Sequence, residues 1–454
     1  MKREHIWAHY EEDAPRYWKL AEGGYATPVS VRQGERVAFH ISNSRSYYDV
    51  FVFREGKERR LVKVINDLRG NLHPIPRSGY RDGFEWPATV AFAVPHDWQS
   101  GVYIASFPTA QGIREILFVV RPETPQASIL LTIEMNTYAA YNPVGGKCFF
   151  PYISTEGRHS ELVSVERPLQ PDIMGGFYAW DQFFTSWLDA KGYRVDYCVN
   201  ADLDLNPDLL GDYRAHLRIG HGEYTSREEC ERLQRFVADG GNLMVFAGNS
   251  FWHITETRNE GRQVYCAKTR YCEHPLGTPD HPRTSFLCAI EDLRQRTIGV
   301  SYTACVHGKS KVPGEYVAPT WEGYGSFRVV EPDHWAFAGT GLREGDEFGG
   351  SDSIVGVECD GGDIEFVKGH PRFTGRDGIS QAFKILALAD AAGGFLNKDL
   401  GISQERYYCT MALNESEFDG TIFTAATMEW GHGLYRDGSP VAQITSNVLD
   451  RLGR

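Results

Sequence analysis

A chain of 454 residues, 42% hydrophobic, 24% charged and 13% aromatic, has the composition of an ordinary globular protein. That length suits about two or three domains, each able to bury a core without disulfides or structural metal, so any metal present would serve chemistry. With 47 Lys+Arg against 60 Asp+Glu the net charge is −13, which disfavours wholesale binding to nucleic acid or anionic membrane, since both need a basic face.

The nine cysteines are scattered without a C-x-x-C pair, as suits reduced thiols better than a disulfide framework. Residues 1–7 carry no apolar leader segment, and no apolar run reaches the roughly 18 residues of a membrane span. The expectation is a cytoplasmic protein with no nucleic-acid or membrane partner.

In chain order, residues 23–120 break into short β-rich runs at 27–31, 37–41, 48–54, 88–94, 101–106 and 116–120. Alternation in Val37-Ala38-Phe39-His40-Ile41 and Val102-Tyr103-Ile104-Ala105-Ser106 predicts strands with one buried face, and so an antiparallel β-sandwich over residues 1–122. The paired prolines of Arg121-Pro122-Glu123-Thr124-Pro125 read as a linker. From 123 to 454 the pattern is α/β. Residues 128–135 form a continuous apolar strand, 178–190 carry helical spacing through Phe183, Phe184, Trp187 and Leu188, and 193–199 return as a strand.

Residues 215–219 predict a strand, 220–224 a turn, 227–238 a helix capped by Thr225 or Ser226, and 242–247 the next strand. Such a crossover brings the loops after Ile219 and Ala247 to the C-terminal edge of a parallel sheet, where these sheets hold ligands. Beyond about residue 286 short strands alternate with Gly-rich turns, and 379–391 predicts a helix. The expected fold class is α/β plus all-β, a sandwich followed by an α/β domain with a mostly parallel sheet.

Chemistry concentrates in three places. In Gly220-His221-Gly222-Glu223-Tyr224, positions i and i+2 of an extended strand end point to one side, so His221 and Glu223 can converge on one ion or water; the alternative is a solvated loop. Gly248-Asn249 puts an amide at the same sheet edge. Asn136-Thr137-Tyr138-Ala139-Ala140-Tyr141, with a following Gly-Gly turn, offers two phenols that read equally as a site or as an aromatic lid over the core. Glu358 lies in an apolar strand-like run, where an inward carboxylate must be paired or act as an acid/base. His253 and Glu256 have helical metal-ligand spacing but read as part of an exposed loop. Phosphate-loop, His-Glu-x-x-His, dinucleotide and nucleophile-elbow motifs are absent. Cys148 reads as a buried thiol.

Taken in order, Ser100-Gly101-Val102-Tyr103, Thr137-Tyr138-Ala139-Ala140-Tyr141-Asn142, Gly220-His221-Gly222-Glu223-Tyr224, Gly240-Gly241-Asn242, Gly248-Asn249 and Gly356-Val357-Glu358-Cys359-Asp360 resemble the catalytic, large subunit of N,N-dimethylformamidase and its relatives. Gly420-Thr421-Ile422-Phe423-Thr424-Ala425 and Ile444-Thr445-Ser446-Asn447-Val448-Leu449 extend the resemblance over nearly the whole chain. It implies an amidotransferase-like α/β domain and a mononuclear ferric ion held by two tyrosines and one glutamate. Those positions fall on Tyr103, on Tyr141 with Tyr138 as the alternative, and on Glu223. His221, Asn249 and Glu358 become the supporting catalytic groups. The chain departs from the family pattern at Gly222, usually Pro or Asp.

The implied activity is iron-dependent hydrolysis of the C–N bond in a small N-substituted amide, with self-association expected as a homo-oligomer. Two other readings are a noncatalytic ligand-binding protein with a decayed amidotransferase-like site, and an amidotransferase using Cys148 or Cys305. Loops at 265–287 and 307–324 are expected to shape the pocket; His307, Trp321 and Trp335 read equally as pocket lining, apolar core or a subunit contact.

Overall fold

The computed structural model describes residues 10–169, 176–268, 297–301, 325–356, 358–391, 406–436 and 438–454. Cys305, His307, Trp321 and most of the two loops just named lie outside them. The chain divides into two compact units, Met1–Leu209 with Thr255–Thr269, and Leu210–Ile254 with Arg270–Arg454. The whole is a mixed α/β protein with many strands and few helices.

In the first unit helix α1 (Tyr10–Trp18) precedes two sheets that share one core. One sheet joins β1 (Gly23–Thr27), β3 (Arg36–Ser42) and β6 (Val90–Ala93). The other runs β2 (Ser30–Arg32), β8 (Gly112–Arg121), β7 (Gly101–Thr109), β4 (Tyr47–Arg54) and β5 (Arg60–Arg69). All pairs are antiparallel except β2 with β8. The alternation read in the sequence explains the core: Val37, Phe39 and Ile41 face Val50, Val52, Tyr103, Ala105, Phe107 and Phe118. β5 escapes the sequence pattern because it is an edge strand with Leu61 and Val64 exposed among charges. The second face of β7 and β8, with Val102, Ile104, Leu117 and Val119, is buried as well, and β11 (Asp196–Val199) of the same unit lies against both strands.

After the short α2 (Gly79–Asp82), β9 (Ile129–Ile133) pairs in parallel with β11. Its strand ends earlier than expected, because the tyrosine-bearing stretch is itself helix α3 (Met135–Tyr141), buried along its whole length. Helix α4 (Asp181–Lys191) ends on Gly192 in the left-handed conformation, and α5 (Asn200–Leu205) follows β11. β10 (Leu162–Ser164) and β15 (His253–Arg258) flank β16 (Gln263–Tyr265) in antiparallel pairs.

The second unit is built on β12 (Ala215–His221) and β14 (Asn242–Gly248), parallel and in register from Ala215 opposite Asn242 to His221 opposite Gly248. Between them run β13 (Tyr224–Ser226) and α6 (Arg227–Ala238). Ser226 caps the helix by accepting the Glu229 N–H at 2.9 Å, and Cys230, Leu233 and Val237 form its buried stripe. The sheet continues from β14 to parallel β23 (Ile422–Thr424), then through antiparallel β22 (Tyr407–Asn414), β21 (Lys384–Ala391), β17 (Phe327–Val329) and β18 (Glu347–Phe348). Among the described residues of this unit, parallel pairing runs through β12, β14 and β23 and antiparallel pairing through the rest; with the parallel pair β9–β11, the strands after residue 122 pair both ways rather than mostly in parallel.

The helix expected over 379–391 is strand β21 instead. Its Ala- and Leu-rich composition suits a helix, but Ile385 to Ala389 are buried between β17 and β22, and tertiary burial overrides local propensity. A hairpin, β19 (Ile364–Val367) with β20 (His370–Phe373), and the C-terminal helix α7 (Pro440–Leu452) complete the unit. Among the described residues no helix is long and apolar enough to cross a membrane.

Candidate active site

β12 and β14 end side by side, and the two loops that leave them carry the polar cluster of the second unit. Extending β12 through His221 places His221 and Glu223 two residues apart at the sheet edge. His221 Nε2 lies 2.9 Å from Glu358 Oε2 and 3.6 Å from Glu223 Oε2. Ionised carboxylates only accept, which assigns the shared proton to Nε2. Asn249 Nδ2 donates to the same Glu358 Oε2 at 3.1 Å and stands 3.5 Å from His221 Nε2. The cluster is deeply buried; Glu358 is its most exposed member, with 12% of its side chain accessible.

The second loop folds back on the first through its backbone. Phe251 N–H donates to Gly222 O at 2.8 Å, and the N–H groups of Trp252 and His253 both donate to Glu223 O, at 3.0 and 2.9 Å. This return sets His253 Nε2 3.5 Å from Glu223 Oε1, with its ring stacked on Tyr224 at 5.1 Å. His253 thus belongs to the site, contrary to its reading as loop. No spacing rule finds it, because its approach to Glu223 depends on main-chain bonds between two loops. Glu256, its supposed partner, is exposed and pairs with Arg258.

Below the cluster, buried Arg218 of β12 forms an ion pair with Glu229 of α6, and its guanidinium lies over the Phe251 ring at 4.8 Å. Thr225 Oγ1 adds a hydrogen bond to Glu229 at 2.7 Å. Gly248 answers a steric demand: a Cβ there would sit 2.5 Å from Met428 N and 2.6 Å from Glu358 O. Glu358 itself is not in a regular strand; the neighbouring Cys359 makes a single bridge to Thr427.

The structure brings together His221, Glu223, Asn249 and Glu358. The three tyrosines belong to the first unit. Tyr103 is in the two-sheet core, stacked on Trp98 at 4.9 Å, with its hydroxyl donating to Gln99 O at 2.7 Å; burial raises its phenol's pKa. Tyr138 is fully buried on α3 with its hydroxyl on Asp181, and burial, reinforced by that carboxylate, holds the phenol protonated. Tyr141 stacks on Phe150 at 4.1 Å.

As donors for a ferric ion these groups differ. Glu223 fits, being a buried carboxylate with one imidazole facing each oxygen. A phenolate at Tyr103 would first have to release the Gln99 carbonyl. Among the described residues no group of three or more His, Cys, Asp or Glu could hold a metal by itself. Burial also raises the Cys148 thiol, against an activated nucleophile there. Trp335 donates to Glu415 at 3.2 Å and lies under Arg451.

A mixed α/β protein with a buried acid, imidazole and amide cluster at the carboxyl edge of parallel strands has the layout of a small-ligand site. Residues 49–443 match the family described as N,N-dimethylformamidase beta subunit-like, C-terminal, and the chain belongs to that family. It is 31% identical over 114 residues to the N,N-dimethylformamidase beta subunit of Alcaligenes sp, and 32% identical over 116 residues to that of Paracoccus aminophilus. Each alignment covers 23% of this chain and 15% of the relative, so the matched stretch is a small part of those longer proteins. Both relatives are named as beta subunits, where the motifs suggest the large, catalytic one.

Proposed function

We propose that this chain hydrolyses the C–N bond of a small N-substituted amide. The observation that carries the reading is the pair of donors, His221 Nε2 and Asn249 Nδ2, that converge on Glu358 Oε2 at 2.9 and 3.1 Å. Two donors on one oxygen fix the orientation of a carboxylate that still reaches solvent. In the proposed reaction Glu358 accepts a proton from the attacking water and returns one to the departing amine. His221 donates its Nε2 proton to Glu358, while Glu223 sits between His221 and His253 with one imidazole facing each oxygen.

The proposal includes a ferric ion with Glu223 as an oxygen donor, supported by the family relationship and by the affinity of hard cations for anionic oxygen. When bound, such an ion polarises the amide carbonyl. An amidotransferase-like α/β arrangement, a cytoplasmic location and self-association belong to the same proposal.

The test measures amine released from small amides alongside iron, zinc, manganese and copper per chain. Glu358→Gln should retain metal yet lose turnover by about 100-fold or more, and Glu223→Ala should lose metal and turnover together. Full activity in Glu358→Gln removes that residue from its role. A metal-replete, folded sample that releases no amine from any amide tried overturns the reading.

A further inference from the structure

Asp360, two residues beyond Glu358, is wholly inaccessible and takes no part in the reaction drawn above. Its main chain is already held. Asp360 N–H donates to Ala426 O at 2.8 Å, its carbonyl accepts the Thr410 N–H of β22 at 3.0 Å, and Cys359 beside it bridges Thr427. The side chain reaches beyond that frame, where Oδ2 accepts the Ser250 N–H at 3.2 Å. Glu358 Oε2 accepts from the Asn249 amide at 3.1 Å. Two carboxylates on one segment thus grip consecutive residues of the loop after β14, the first by its side chain and the next by its backbone.

That loop is under strain. Asn249 and Phe251, on either side of Ser250, both adopt left-handed backbone, with φ of 47° and 56°. Neither is glycine, and such conformations persist only where the surroundings over-determine them. Two bonds restrain the backbone here, Ser250 N–H to Asp360 and Phe251 N–H to Gly222 O at 2.8 Å. We propose that Asp360 is a positioning residue, whose carboxylate holds Ser250 so that the Asn249 amide stays on Glu358. Its effect on turnover rests on the hydrolase reading, whereas its hold on the loop does not. Without the carboxylate the left-handed backbone relaxes, Asn249 Nδ2 leaves Glu358, and the general base loses one of the two donors that orient it.

The experiment compares metal-replete wild type, Asp360→Ala and Asp360→Asn by two readouts: kcat and KM for N,N-dimethylformamide from released dimethylamine, and backbone hydrogen exchange across residues 249–253 and across β22. Asp360→Ala should lower kcat by about 10- to 100-fold, the effect of a misplaced catalytic group, with KM nearly unchanged. Its Ser250 and Phe251 amides should exchange at least about tenfold faster, while β22 keeps its protection. Asp360→Asn retains an oxygen that accepts the Ser250 N–H, so it should restore most of kcat and of the loop's protection. Should Asp360→Ala not fold, Asp360→Glu, which moves the carboxylate by one methylene, should show the same two changes to a smaller extent. Wild-type kcat or wild-type loop protection in the Ala variant, or in Glu where that replaces it, overturns the proposal. So does an Asn variant as impaired as Ala, or exchange that rises equally in loop and β22. A wild type that hydrolyses no amide sinks the hydrolase reading alone, and exchange then decides the positioning by itself.

Discussion

His221 has one Nε2 proton and two carboxylates facing it, so its position depends on residues that keep its strand end still. Arg218, three residues earlier on β12, is the firmest of these. Arg218 and Glu229 are both essentially inaccessible, and removing one member of a buried ion pair strands the other charge in a medium that cannot solvate it. Glu229→Leu should therefore destabilise the protein by about 3–5 kcal/mol. The double variant Arg218→Met/Glu229→Leu should recover most of that loss, since two apolar groups of similar size leave no stranded charge. Urea unfolding of the two single variants and the double decides it; equal stability for Glu229→Leu and wild type would show the pair contributes nothing.

At the scale of elements, the run from β12 through α6 to β14 is the most legible part of the chain. Apolar period, a Ser cap and acidic first-turn residues agree there, and the helix occupies the span the pattern predicts. Spacing also places His221 and Glu223 together. β21 defeats the pattern because an Ala- and Leu-rich run serves helix or buried strand alike, and only its neighbours in the sheet decide. His253 is hidden for a related reason: three main-chain hydrogen bonds, invisible to any pattern, fold the second loop onto the first. The end of β14 is where this assembly is tightest. Gly248→Ala would drive a Cβ into the Met428 nitrogen and the Glu358 carbonyl, both backbone atoms that cannot rotate aside. The expected result is a loss of about 1–3 kcal/mol from strain, with turnover falling more than in a variant of equal instability distant from the loop, because the displaced segment carries Glu358. Side-by-side unfolding and rate measurements on Gly248→Ala and Ser439→Ala, a cap variant on α7, would separate the two effects.

For the molecule as a whole, the two units share a dependence on pH that follows from their buried histidines. His216 on β12 is fully inaccessible, and desolvation, with a smaller contribution from Arg218, holds its pKa well below the ordinary value. Burial likewise depresses His40 and His159 in the first unit and His334 in the second. In the unfolded chain these imidazoles take up protons near pH 6.5, whereas the native protein resists, so the unfolded state binds more protons and stability falls as pH drops through that region. Each histidine kept fully neutral in the native state adds a slope of about 1.4 kcal/mol per pH unit once the unfolded imidazole is protonated. Glu55, Glu166, Asp202 and Asp377 act in the opposite sense, since burial raises their pKa values and the native state binds their protons first. They oppose the histidine term as pH falls, and the histidines take up their protons first in the unfolded chain, whose ordinary imidazole value lies above the ordinary carboxylate one. The urea midpoint should therefore fall between about pH 7.5 and about pH 5.5, and His216→Gln should flatten that decline even where it lowers stability at the upper end. A midpoint constant across the range in the wild type would mean that these imidazoles protonate without cost in the folded protein.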